Sequence, residues 1–190
     1  MPALRPIVLG RCMQSFMPRY WLILSFFLCL LWNTSGQAKD VFMEPDLFLS
    51  EAFDGAVPDP SFLWLKPEVK DAMREVLGRD PSGLRVRYWR DGSKTAWILE
   101  EIGKTQPITT GIVIADGAVE RLQVLIYRES HGWEVRYPFF TDQFRGMTLE
   151  ADLSLSEQVD GISGATLSVR ALTKLVRLAL RLDAMVQAGG

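Results

Sequence analysis

The chain has 190 residues, 48% of them apolar, and a formal net charge of -2. That length suits one domain with extensions, and that apolar content sustains a packed core rather than a disordered chain. The charge balance lacks the basic patch or stripe of a nucleic-acid-binding protein, so no nucleic-acid partner is expected.

The N-terminus differs from the rest. Arg5, Arg11 and Arg19 precede an apolar run from Tyr20 to Trp32, and no acidic residue occurs before Asp40. Asn33-Thr34-Ser35-Gly36-Gln37-Ala38 follows with a small-x-small ending. A basic start, a short apolar stretch and a small-residue site make a secretory signal peptide over residues 1–38. A spanning helix needs about 20 apolar residues, more than this run supplies. The alternative is an uncleaved anchor, and both place residues 39–190 outside the cytoplasm, in the periplasm. Bulky Phe26-Phe27-Leu28 before Cys29 argue against a lipoprotein acceptor site.

Cleavage after Ala38 removes three arginines and no acid, so the net charge changes from -2 to -5. Cys12 and Cys29 leave too. The mature chain then has no disulfide and no cysteine-ligated metal. One histidine, His131, is too little for a histidine metal site or a Ser-His-Asp triad, and no metal ligand or catalytic residue is assigned.

Residues 39–83 read as a small helical segment. Residues 40–65 mix apolar side chains with Pro45, Pro58 and Pro60, which suits short helical turns and a loop from Gly55 to Pro60. Pro67 suits a first helical position, a helix follows to Leu77 with Val69, Met73, Val76 and Leu77 on one side, and Gly78 stops it. From residue 84 the pattern becomes strand-like. Strands are expected over 84–90, 95–102, 108–115 and 118–128, with hairpin signals at Asp91-Gly92 and Asp116-Gly117. Residues 132–137 suit a fifth strand. Residues 138–146 suit a short helix ending at Gly146, and 149–155 is ambiguous. A long helix from Leu167 to about Gln187 carries Leu172, Leu175, Ala179, Leu182 and Val186 on one face. Arg170, Lys174, Arg177 and Arg181 form a basic stripe opposite. That stripe is read as a solvated face, with a docking surface or a phosphate neighbour through Arg170 as the alternative. Strands followed by a packed helix give an α+β class: an antiparallel sheet with a long C-terminal amphipathic helix over residues 84–190.

Asp160-Gly161-Ile162-Ser163-Gly164-Ala165-Thr166 immediately precedes that helix. Gly164 permits a tight turn and close approach of a ligand, and Ala165 adds little bulk. Ser163 and Thr166 supply hydroxyls, and Asp160 suits a role in holding the loop or polarising a hydroxyl. Two readings are open. One is a hydroxyl cap on the helix. The other is a phosphate site on the N–H groups of the first turn.

This heptapeptide resembles the flavinylation motif of the FMN-binding domain family. That family includes the C subunit of the sodium-pumping NADH:quinone reductase and the G subunit of the Rnf complex. The resemblance extends over residues 84–185, through Ile102 to Ile114, Val124 to Val135 and Phe139 to Gly146. It implies FMN joined through its phosphate to Thr166 by a periplasmic flavin transferase. Asp160, Ser163, Gly164 and Ala165 are then motif residues. Glu129-Ser130-His131-Gly132 stands where Rnf-type members have a Glu-Thr-Pro-Gly loop, so Glu129 and Gly132 are counterparts without the proline. Trp89, Trp97, Trp133 and Tyr137 are candidates to stack on the flavin, or simply to pack in core or sheet. The resemblance implies electron transfer with a membrane-bound or periplasmic redox protein, as a carrier or redox subunit rather than a stand-alone enzyme. The alternative is an FMN-binding module that regulates or assembles a membrane redox complex.

Overall fold

The computed structural model describes residues 40–189. The signal-peptide reading falls on residues 1–38, outside the described residues. Six strands form one antiparallel sheet in the order β1-β6-β5-β4-β3-β2. They are β1 (Asp40–Val41), β2 (Ser61–Trp64), β3 (Arg85–Asp91), β4 (Lys94–Ile102), β5 (Pro107–Ala115) and β6 (Ala118–Tyr127). The helices are α1 (Pro45–Ala52), α2 (Pro67–Leu77), the short α3 (Pro138–Thr141) and the long α4 (Thr166–Ala188). The α+β class is as the sequence implies, and the four long strands lie where alternation and turn signals put them. In the β5–β6 hairpin Ala115 pairs with Ala118, and both turn residues have positive φ, Asp116 at 51° and Gly117 at 78°. That matches the right-handed twist of the flanking strands.

Helix α4 covers one face of the sheet. Its Leu172, Leu175, Ala179 and Leu182 are fully buried against Trp97, Ile112, Ile114 and Val124 from the strands. Each such leucine contributes on the order of 1.5–3 kcal/mol by leaving water. Helix α2 joins the same core through Val69, Met73, Val76 and Leu77. It starts on Pro67 and stops on Gly78, whose N–H returns to the Arg74 carbonyl at 2.8 Å. Helix α1 covers the other face, where Phe48, Leu49 and Phe53 meet Trp89, Ala96, Val113 and Leu125. With both faces covered, β5 is buried along almost its whole length.

Three local readings change. Residues 40–41 and 61–64 are edge strands rather than helical turns, because they pair with β6 and β3. Residues 133–136 form a 3-10 turn rather than a fifth strand. Gly132 enters that turn at φ 84°, and the Tyr137 N–H closes it on the Glu134 carbonyl, so the apolar alternation serves a turn. The basic stripe on α4 is not simply solvated. Lys174 Nζ donates to the Leu77 carbonyl at 3.2 Å, and Arg177 Nε donates to the Leu153 carbonyl. These two cations fasten α4 to the end of α2 and to the segment around the Leu149–Leu155 bridge. Arg170 stays exposed.

Candidate functional site

Three pieces of chain meet at one end of the sheet: the 103–106 connection from β4 to β5, residues 128–134 after β6, and residues 163–168 entering α4. They enclose a cavity of about 620 Å³, within the usual range for small-molecule sites. Its lining includes Ser163, Gly164, Ala165, Thr166, Glu129 and Gly132, brought together from two distant stretches of sequence. Asp160 is not in the lining. It is exposed, and its backbone N–H donates to Gln143 Oε1 at 2.8 Å. A groove of about 630 Å³ runs along Val169, Thr173 and Arg177 and contains no motif residue.

The entry into α4 decides between cap and open anion site. Ile162 to Ala165 form a turn, closed by the Ala165 N–H on the Ile162 carbonyl at 3.0 Å, with Gly164 at φ 83°. Ala165 is the flanking residue of the helix, and no side chain caps it. The first helical bond runs from the Val169 N–H to the Ala165 carbonyl at 2.9 Å. The N–H groups of Thr166, Leu167 and Ser168 therefore have no acceptor among the described residues. The cap reading fails here: Thr166 is the first helical residue, one position too late to cap, and Ser163 lies two positions before the flanking residue Ala165. What remains is a 23-residue helix with its N–H groups and the positive end of its dipole open beside the cavity, which favours a bound anion. Thr166 is exposed there with its hydroxyl at the same end.

The two loops that wall the cavity are fastened. Glu129 is not a free loop carboxylate. Its Oε1 accepts the N–H groups of Lys104, Thr105 and Gln106 at 2.5, 2.6 and 2.9 Å. Its Oε2 accepts the Thr105 hydroxyl at 3.0 Å. Partial burial pushes the Glu129 carboxyl up. The donors from Gln106, Thr105 and Lys104 outweigh that and hold it below the ordinary carboxylate range. On the other side, buried Tyr127 donates its hydroxyl to the His131 carbonyl at 2.6 Å and lies 2.9 Å from Ser168 Oγ. Gly132 sits beneath this contact at φ 84°. A Cβ there would come within 3.0 Å of Tyr127 Oη and 3.1 Å of Ser168 Oγ, so a side chain at this position would be both crowded and strained.

Among the aromatic candidates, Trp133 alone lines the cavity, with its side chain partly exposed. Tyr137 meets it edge-on at 5.7 Å, and the Arg136 guanidinium lies over both rings. Trp97 is core. It stacks on Tyr88 at 5.0 Å and donates Nε1–H to Thr95 Oγ1 at 2.9 Å. Trp89 is buried on the α1 face. The sequence reading omitted Lys104, Thr105, Tyr127 and Ser168. Tyr127 read as the end of an apolar strand and Ser168 as an ordinary helix residue. Nothing local marks either as a partner of the other, 41 positions away.

A cavity walled on two sides, an uncapped helix N-terminus and an exposed hydroxyl beside it fit a phosphorylated ligand with a flat apolar body. Residues 103–181 match the FMN-binding domain family. That match indicates a flavin-binding protein whose cofactor is FMN. No curated protein and no solved structure matches the chain.

Proposed function

We propose that Thr166 carries FMN through a phosphoester bond and that the protein works outside the cytoplasm in electron transfer with a membrane-bound or periplasmic redox partner. The observation that carries this reading is the open N-terminus of α4, where the Thr166 hydroxyl and three unpaired N–H groups border one cavity.

The chemistry asks little of this chain beyond placement. Esterification by free FMN in water is uphill, so the donor must be a phosphoanhydride of FMN brought by a flavin transferase. The Thr166 O–H bond and the anhydride P–O bond break, and an Oγ–P bond forms. The leaving phosphate keeps the electron pair of the broken P–O bond, and the hydroxyl proton passes to a base on the transferase. Thr166 lines the cavity and is exposed, which such an encounter requires. After attachment, the N–H groups of Thr166, Leu167 and Ser168 would hold the phosphate, and Trp133 would border the flat ring system. FMN, when bound, supplies the electron-accepting centre; the protein holds it in place and sets its surroundings. A tether through the phosphate leaves the ring free and prevents loss of the cofactor outside the cell.

The test is the intact mass of protein made together with a flavin transferase. The mass should rise by one FMN less one water, survive denaturation, and return to the unmodified value in Thr166→Ala. Colour lost completely on denaturation would remove the covalent claim. A mature N-terminus before Lys39 would remove the cleavage claim. A redox titration separates carrier from regulatory module: a flavin that no physiological donor reduces at useful rates belongs to the latter.

A further inference from the structure

We propose that Tyr127 and Ser168 are positioning residues for the flavin: together they latch the 129–132 loop across the first turn of α4 and preform one wall of the cofactor cavity. The proposal rests on the placement of FMN at Thr166 and concerns the side chains of two residues outside the Asp160–Thr166 motif.

Hydrogen bookkeeping shows how the latch is wired. A tyrosine has a single O–H. Tyr127 Oη lies 2.6 Å from the His131 carbonyl, which only accepts, so that hydrogen is committed there. The 2.9 Å contact between Tyr127 Oη and Ser168 Oγ must then be a bond donated by the serine. The chain of donors runs from Ser168 on α4, through Tyr127 at the end of β6, to the backbone of the loop. Both side chains are almost fully buried, where an unmade hydrogen bond is costly. The Ser168 hydroxyl is thereby used toward the sheet, and its own backbone N–H stays unpaired at the helix entrance. Ser168 is thus removed as a competing acceptor for the flavin phosphate.

Packing locks the same contact. A Cβ on Gly132 would meet Tyr127 Oη, Ser168 Oγ and the Ala165 methyl, the last at 3.3 Å. The loop backbone therefore lies directly on the residue before Thr166. Glu129, in the same loop, holds the 103–106 connection through its three N–H bonds. One short loop is fixed at its start to the opposite wall and at its end to the helix that carries the attachment point. Breaking the Tyr127 contact frees the second fixing and leaves the first intact. The cavity should then widen at Trp133, which follows Gly132, without loss of the fold.

The experiment uses Tyr127→Phe, which keeps the ring and deletes only the hydroxyl, and Ser168→Ala, which removes the helix half of the latch. Both are made in the full chain with the transferase present. Ile114→Val, in the core beside the far hairpin, serves as a control of comparable stability loss. The readouts are the attached fraction by intact mass, the accessibility of the bound flavin to iodide quenching, and its reduction midpoint. Losing one buried hydrogen bond should shift the loop toward its open form by about fivefold. Iodide quenching should rise and the midpoint should move in both latch variants, with neither change in Ile114→Val. If Tyr127→Phe loses thermal stability while quenching and midpoint match the wild type, the residue is only structural and the proposal is overturned. If all three variants change alike, the effect is general loosening, and it is overturned equally. A failure of the Thr166 assignment looks different. Thr166→Ala would then keep its flavin, and the same quenching comparison is made on the flavin wherever it is held.

Discussion

Glu129 gives a quantitative test of how the cavity is built. Its carboxylate accepts four hydrogen bonds from residues 104–106. A hydrogen bond to a charged group contributes about 1.5–3 kcal/mol. Lys104 and Thr105 are exposed, however, so water can replace the carboxylate at their N–H groups, whereas Gln106 is half-buried. Only one donor is left with a poor alternative, and the expected cost of Glu129→Ala is on the order of 2–3 kcal/mol rather than the sum of four bonds. In Glu129→Gln the amide oxygen still accepts but the charge is gone, and about 1 kcal/mol should be lost. The pH dependence separates charge from shape. The folded carboxyl lies below its ordinary value of 4.5, so its contribution is present above that value and disappears as pH falls through the folded pKa. Thermal unfolding of the wild type should weaken across that acid window, and Glu129→Gln should lack this part of the slope. At neutral pH a 1 kcal/mol loss corresponds to about 2–4 °C in Tm for a domain of this size. A Glu129→Gln protein with the wild-type midpoint at neutral pH and the wild-type acid slope would show that the clamp contributes nothing.

Two further predictions concern the core. Thr110 Oγ1 is buried without a hydrogen-bond partner among the described residues, so Thr110→Val, which exchanges the hydroxyl for a methyl of similar size, should stabilise the protein by about 1 kcal/mol in urea unfolding. Asp183 is buried. Burial raises its carboxyl pKa, against the lowering effect of its bonds from Thr95 and Gln187. The wild type therefore gains stability from this group as pH falls from above the raised folded pKa toward 3.8, and Asp183→Asn should be flat over that window. An acid slope unchanged in Asp183→Asn would show that the carboxyl keeps its ordinary pKa in the fold.

The strands and α4 were legible because their signals are local: alternation, two Asp-Gly turns, and apolar residues spaced by three and four. The 61–64 strand was not, because Phe62-Leu63-Trp64 carries no alternation and becomes a strand only by pairing with β3, more than 20 residues on. Residues 132–137 misled in the opposite way. Their composition suits a strand, but Gly132 at positive φ and the closure on Glu134 turn the chain before it reaches any sheet edge. At the site, the motif was readable as a motif, while its chemistry was ambiguous between cap and anion site. That ambiguity could not be removed from sequence, since it depends on which backbone atoms face each other around Ala165. The Glu129 and Tyr127 fastenings were invisible for the same reason. Most of their bonds go to backbone groups that any residue type would supply, and the Ser168 hydroxyl lies 41 positions from Tyr127.

An uncapped long helix beside a cavity is a local cost, and it can be tested as one. A good cap at this position is worth about 0.5–2 kcal/mol. Ala165 forgoes it, and its backbone, at φ -115° and ψ 17°, is outside the extended region that capping residues adopt. Ala165→Ser introduces a hydroxyl at the flanking position with little added volume. If the chain can rotate toward the extended form, that hydroxyl accepts the Leu167 or Ser168 N–H, and flavin-free protein should gain up to about 1 kcal/mol in urea unfolding. The same bond takes a donor away from the phosphate. Noncovalent FMN should then bind more weakly, by up to about fivefold for one hydrogen bond. The two changes must have opposite signs, because they compete for the same N–H group. A variant that becomes more stable and still binds FMN as tightly as the wild type would show that the phosphate lies elsewhere. The open helix end would then be only an unoptimised terminus, and the case for Thr166 would rest on its motif alone.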